Sequence, residues 1–196
     1  ASQSEIFSGI NFKRNRGDLA FGGTNAGSLA LGDITFAAST VDLAQVTLGY
    51  SKIQRDTKGT WYFGGTTNLS PGDVNRRNTD QAIQGLIPGS TGLGRVGARA
   101  RYMYGNFSAQ RFQSLPQGWQ FTSRGNFQIS STNLAGSEQI GIGGSTSVRG
   151  FDERVISGDT GMIISNELQL PVIKTPLKFA HVKQPLESRL GIFYDV

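Results

Sequence analysis

Between Trp119 and Ile129 the odd positions Trp119, Phe121, Phe127 and Ile129 are apolar, and the even positions Gln120, Thr122, Arg124, Asn126 and Gln128 are polar. This period of two predicts a strand. A helix would need apolar residues three and four apart and would mix the two sets. The same alternation predicts a strand from Met162 to Leu170, with Met162, Ile164, Leu168 and Leu170 on one face and Ile163, Ser165, Glu167 and Gln169 on the other. From Arg189 to Val196 the apolar face is Leu190, Ile192, Tyr194 and Val196, with Arg189, Gly191, Phe193 and Asp195 opposite. From Val96 to Tyr104 the expected outer face is Val96, Ala98, Ala100, Tyr102 and Tyr104, with Arg95, Arg99 and Arg101 opposite. Weaker alternation over Ile6 to Phe12, Val46 to Tyr50 and Trp61 to Leu69 brings the total to about seven strands of membrane-crossing length. Leu29 to Phe36 is a candidate extension of a neighbouring strand.

The connections are of two kinds. Arg55 to Gly59 and Leu115 to Gly118 are short, while Arg14 to Asp42, Ser70 to Gly94 and Ser131 to Thr160 are long and rich in Gly, Ser and Asn. Short turns at one end and long loops at the other describe an antiparallel transmembrane β-barrel. The last connection, Pro171 to Glu187, is longer than a tight turn and fits this scheme less well. A soluble β-sandwich with half-wet strands shows the same alternation. Two details favour the membrane. Aromatic residues cluster near strand ends, at Trp61-Tyr62-Phe63, Tyr102, Tyr104 and Trp119, where an interfacial girdle would sit. The polar faces carry Arg, Gln, Asn and Glu, which suit a water-filled lumen.

Composition narrows the picture further. The uninterrupted apolar runs are only a few residues long, far below the roughly 18 that a membrane helix needs. The 196 residues include no cysteine, which removes thiol chemistry and disulfides. The formal charge of +5 is scattered without a basic run, so nucleic acid is not an expected partner. No signal peptide opens the chain at Ala1-Ser2-Gln3-Ser4, and the chain is expected to be an internal piece of a longer protein. Gly92-Leu93-Gly94-Arg95-Val96-Gly97 matches a dinucleotide pattern, but that mechanism requires a strand before it, a helix after it and an acid some way on. It is read as a loop. His181 is the only histidine and is read as a surface residue. No catalytic, metal or cofactor site is expected.

The segment from Gly143 to Leu170 carries the most information. It contains Gly143-Gly144-Ser145-Thr146-Ser147-Val148-Arg149-Gly150-Phe151, then Gly158-Asp159-Thr160-Gly161, then Asn166-Glu167-Leu168. The glycines permit a tightly turned loop. Arg149 between Val148 and Phe151 is best explained if the tip packs against something and the guanidinium finds a carboxylate. Glu167 and Asp195 lie on the polar faces of the two strands that follow and could receive it. Each could equally be an ordinary wet lumen charge.

This segment resembles the Omp85 superfamily, whose sixth extracellular loop folds into the barrel and carries a Val-Arg-Gly-Phe/Tyr motif. With its Gly-Asp-x-Gly and Asn-Glu-Leu companions, the run from Gly144 to Leu170 is most similar to the two-partner secretion transporters of the haemolysin-activator type. Asp195 matches the aspartate of that family's following strand motif. The resemblance implies that Arg149 pairs with the inner-wall acids Asp195 and Glu167 and that Val148, Arg149, Gly150 and Phe151 control the pore. A contact pair is worth roughly 4 kcal/mol at an effective dielectric near 20, reduced by desolvation, so it acts as a latch for loop position. Residues 1–196 would then be the C-terminal portion of a sixteen-stranded barrel, with the inward-folding loop at about 131–160 and the POTRA domains and plug helix outside the chain. Seven strands could not close such a barrel. The implied activity is non-enzymatic: a monomeric barrel in the outer membrane of a Gram-negative-type bacterium, in contact with lipid, passes a secreted exoprotein from periplasm to cell surface. Arg95, Arg99, Arg101 and Arg124 are expected to make the lumen basic. The alternatives are an Omp85 insertase that assembles other barrels, or a passive porin.

Overall fold

The computed structural model describes residues 2–21, 34–86, 94–175 and 186–196. In chain order the elements begin with β1 (Ser2–Phe21), β2 (Ile34–Arg55), β3 (Gly59–Pro71), a single helical turn α1 (Asp80–Ile83), β4 (Arg101–Ser114) and β5 (Gln120–Ser130). They continue with β6 (Ile140–Ile142), β7 (Ile156–Gly158), β8 (Gly161–Gln169), β9 (Ile173–Thr175), β10 (Leu186–Ser188) and β11 (Gly191–Asp195). Seven of these strands form one antiparallel sheet in the order β1-β2-β3-β4-β5-β8-β11. Two short antiparallel ladders, β6 with β7 and β9 with β10, lie outside it.

The register separates two faces across the whole sheet. One row runs Ile6, Tyr50, Gly65, Phe107, Phe127, Met162, each opposite the next. Apart from the glycine it is large and apolar, and those side chains are well exposed. Ile10, Val46, Leu48, Leu69, Met103, Ile129, Ile192 and Tyr194 are exposed as well and share that face by parity. A contiguous apolar surface of this kind is a liability in water and a requirement in a bilayer. The adjacent row on the other face, Glu5, Ser51, Gly64, Ser108, Asn126 and Ile163, is small and mostly polar. It is the lumen side.

At the short-turn end, Trp61 and Phe63 stack on the apolar face with ring centroids 5.4 Å apart, and the Arg111 guanidinium lies 5.2 Å from the Trp61 ring centre. Arg111 also binds Asp56 through Nη1 and Nη2, at 2.6 and 3.1 Å. Asp56 Oδ1 further accepts the Lys58 and Gly59 amides, closing the β2–β3 turn. The hydrogen bonds from Arg111 and then Lys58 hold the Asp56 carboxyl down at about 2, from an ordinary value of 3.8. The turn's contribution is therefore complete above pH 3.8 and disappears as pH falls toward 2. Asp56→Asn should flatten the fall in thermal unfolding midpoint over that window, measured on the full-length protein by loss of heat-resistant migration.

The long-loop end has its own small core. Leu43 of β2, Ile83 of α1, Ala98, Ala100 and Ala135 cluster there with Val41 against them, and Tyr102, Tyr104 and Leu134 form a second cluster. Thr79 caps α1 by accepting the Ala82 amide at 3.2 Å. The loops at this end are therefore packed against one another and against β2 and β4.

The structure revises several expectations. Residues 96–100 are not strand: Asp80 accepts the Ala100 amide at 2.7 Å and the Arg99 guanidinium at 2.9 Å, drawing this stretch toward α1. The strand runs instead from Arg101 to Ser114. Tyr102 and Tyr104 face the lumen and are only 3% and 6% exposed, because their hydroxyls meet Gln45 and Glu138. Counting them as apolar inverted the face, and with it the placement of Arg101. The first two strands reach far into the stretch from Arg14 to Asp42 expected as a loop, pairing Leu19 with Phe36 after an irregularity at Gly17/Leu19. The long final connection contains the β9–β10 ladder, which accounts for its length. Gly94 to Gly97 lie in irregular chain ahead of β4. Gly92 and His181 lie outside the described residues.

Candidate functional site: an inward loop held by its arginine

The β6–β7 hairpin stands off the lumen face of the sheet and carries the turn 143–155. Gly143 and Gly144 open that turn with φ of +109° and +96°, a region closed to most residues with a side chain. A Cβ on Gly143 would overlap the Asp152 carbonyl oxygen, and one on Gly144 would overlap the Glu153 carboxylate. Ser147 locks the turn: its hydroxyl donates to the Gly143 carbonyl at 2.6 Å and accepts the Gly143 amide at 2.9 Å. Glu153 accepts the Ser145 amide at 3.0 Å. The result presents Arg149 to the wall formed by β8 and β11.

The wall is prepared by register. Asp195 pairs opposite Ser165, and Phe193 opposite Glu167, with all four side chains on the lumen face. Arg149 Nε donates to Asp195 Oδ2 at 2.8 Å and Nη2 donates to Oδ1 at 2.9 Å, while the Arg149 backbone amide reaches Oδ2 at 3.0 Å. Nη1 donates to Glu167 Oε2 at 2.8 Å. The Ser165 hydroxyl donates to Asp195 Oδ1 at 2.6 Å and accepts from Arg149 Nη2 at 3.2 Å. The guanidinium carbon lies 3.7 Å from the centre of the Phe193 ring, a cation–π stack. Hydrogen bonds to Asp195 and then Glu167 raise the Arg149 pKa above its ordinary value, so it stays charged throughout the accessible range. The bidentate fork, a neighbouring acid and a ring face define an arginine receptor that lysine could not fill equally.

Other residues singled out from sequence are placed differently. Val148 is half-buried and Phe151 exposed, so the arginine, not the phenylalanine, seats the tip among the described residues. Gly150 has φ +93° with open space around it. Arg124 is on the lumen face, opposite Ser165 and Gln110. Arg95 and Arg99 are loop residues tied to Asp159 and Asp80. Arg101 belongs to the same face as Met103 and Phe107, away from the lumen. Of the four arginines expected on the lumen faces of strands, only Arg124 is there: Arg95 and Arg99 lie in loops and Arg101 is on the opposite face. In single-channel recordings of the full-length protein, Arg124→Gln should reduce anion preference, whereas Arg101→Gln should leave it unchanged.

Sequence reasoning did not single out Ser165 and Phe193, although both fall on the expected inner faces at the positions opposite Asp195 and Glu167. Glu138 was also passed over, a lone acid in a polar loop whose local spacing does not distinguish it from a solvated charge. Asp159 is part of the Gly-Asp-x-Gly motif, but its partner Arg95 was not foreseen.

A membrane-type sheet with an apolar outer face, a wet inner face and an arginine-tipped hairpin folded against that inner face is a piece of the wall of a transmembrane β-barrel. The chain belongs to the haemolysin secretion/activation protein ShlB/FhaC/HecB family, whose model matches residues 28–193. It is 43% identical over 58 residues to the outer membrane transporter CdiB of Escherichia coli O6:K15:H31 (strain 536 / UPEC), a stretch covering 30% of this chain and 10% of that protein. Its fold is similar to the solved structure of CdiB from Escherichia coli, with a TM-score of 0.58 and 18% identity over 89% of this chain and 28% of that one. The chain thus spans about a quarter of the solved relative's length.

Proposed function

We propose that the protein of which these residues form the barrel wall exports one secreted partner protein through its lumen, from periplasm to cell surface, without nucleotide hydrolysis or other enzymatic chemistry. The observation that carries this reading is the Arg149 receptor. Three bonds to Asp195 and one to Glu167 hold a bulky loop on the lumen side of the wall, and a permanently open porin has no use for a releasable obstruction of that kind. Family membership supports the same reading. Residues 1–196 act in it as the part of the barrel that carries the loop and its receptor.

The cargo is an unfolded chain recognised outside this part of the protein, and the barrel works as a single copy. The test is deletion of the full-length gene in its own host, with a candidate secreted exoprotein followed in the culture medium. Secretion should vanish and return on complementation, while unrelated barrels stay at normal level. Loss of those barrels instead would assign the protein to assembly.

A further inference from the structure

The outer end of the same hairpin is held by a second carboxylate. Glu138 lies two residues before β6, with its side chain only 2% exposed. It accepts Lys13 Nζ of β1 at 3.0 and 3.1 Å, Gln45 Nε2 of β2 at 2.7 Å and the Tyr104 hydroxyl of β4 at 2.7 Å. Its backbone carbonyl accepts Gln128 Nε2 of β5 at 3.0 Å. A carboxylate this deep is unfavourable unless its oxygens are satisfied, and here three strands supply the donors. Burial alone would raise its pKa, but the hydrogen bonds from Gln45, Tyr104 and Lys13 outweigh that and hold it below the ordinary value.

The other leg of the hairpin ends in a comparable clasp. Asp159, one residue past β7, binds Arg95 through both oxygens at 2.7 Å and accepts the Leu134 amide at 2.9 Å. Both legs are therefore pinned where the hairpin leaves the wall, on partners that share nothing with the Arg149 receptor on β8 and β11. Between root and tip stand Gly143 and Gly144, with their positive φ angles.

We propose that Glu138 is a positioning residue that fixes the outer end of the hairpin to β1, β2 and β4 independently of Arg149, so that β6 and β7 stay in place whether or not the tip is seated on β8 and β11. This rests on the loop being the gate, yet its test reads loop position and not export, so the two can fail separately.

The test places single cysteines in the full-length protein, all others removed, and measures labelling by a membrane-impermeant maleimide on intact cells. Ala135→Cys reports the root, where the residue is 7% exposed and packs with Leu43 and Ile83. Thr146→Cys reports the exposed tip. Glu138→Gln should raise labelling at the root about tenfold, the scale of one lost charge-assisted hydrogen bond, and leave the tip unchanged. Arg149→Ala should do the reverse. Lys13→Met, which removes a donor from a side chain 43% exposed, should shift the root in the same direction by less, with the barrel intact. Equal acceleration of the tip by Glu138→Gln and Arg149→Ala would overturn the proposal. So would root labelling that neither Glu138→Gln nor Lys13→Met alters.

Discussion

Replacing Arg149 by alanine should lower secretion by the full-length protein about tenfold or more, while its amount in the outer membrane and its heat-resistant migration stay normal. The substitution removes the side-chain hydrogen bonds that tie Arg149 to β8 and β11 and its stack on Phe193. It leaves Asp195, whose side chain is 3% exposed, with Ser165 as its remaining side-chain donor. Removing one partner of a fully buried pair costs about 3–5 kcal/mol. Arg149 is 25% exposed toward a wet lumen, so the cost here is nearer 1–3 kcal/mol. That is enough to change the loop's position and too little to unfold the barrel. Arg149→Lys keeps the charge but loses the fork and the stack over Phe193, so it should fall between wild type and alanine. Exchanging the charges, Arg149→Asp with Asp195→Arg, should recover part of the lost secretion if the pair acts directly.

The second large effect is expected at Gly143. Gly143→Ala places a Cβ against the Asp152 carbonyl oxygen and imposes φ of +109° on a residue with a side chain. Backbone cannot step aside as a flexible side chain can, so the turn that presents Arg149 must rebuild. Secretion should fall nearly as far as in Arg149→Ala. Gly150→Ala is the control: its φ is +93° but nothing lies within 4 Å, leaving only a conformational cost of about 1–2 kcal/mol. It should retain most activity. Comparable losses at the two glycines would show that the turn's packing is irrelevant and that strain alone matters.

Much of the fold was legible because a sheet between lipid and water repeats its chemistry every second residue. The faces of Met162 to Leu170 and of Arg189 to Val196 are where alternation places them. Alternation failed where an amphipathic side chain was scored by its ring alone. Tyr102 and Tyr104 read as apolar, yet their hydroxyls are what brings them to Glu138. It also failed at 96–100, where a distant carboxylate, Asp80, decides the path of the backbone. The composition of the arginine receptor was half visible. Arg149, Glu167 and Asp195 stand out as a motif and two inward acids, whereas Ser165 and Phe193 become visible only once β8 and β11 are in register. Glu138 is further removed from sequence logic, since its partner Lys13 lies 125 positions away, and Asp159 was visible as a motif residue but its pairing with Arg95, 64 positions away, was not.

The most direct test of the export account is translocation by the purified full-length protein in proteoliposomes, with its unfolded partner added on the periplasmic side and no nucleotide present. The account predicts that the partner becomes protected from external protease, and that Arg149→Ala sharply reduces the protected fraction. An unprotected partner, together with faster insertion of an unrelated barrel into the same vesicles, would contradict it.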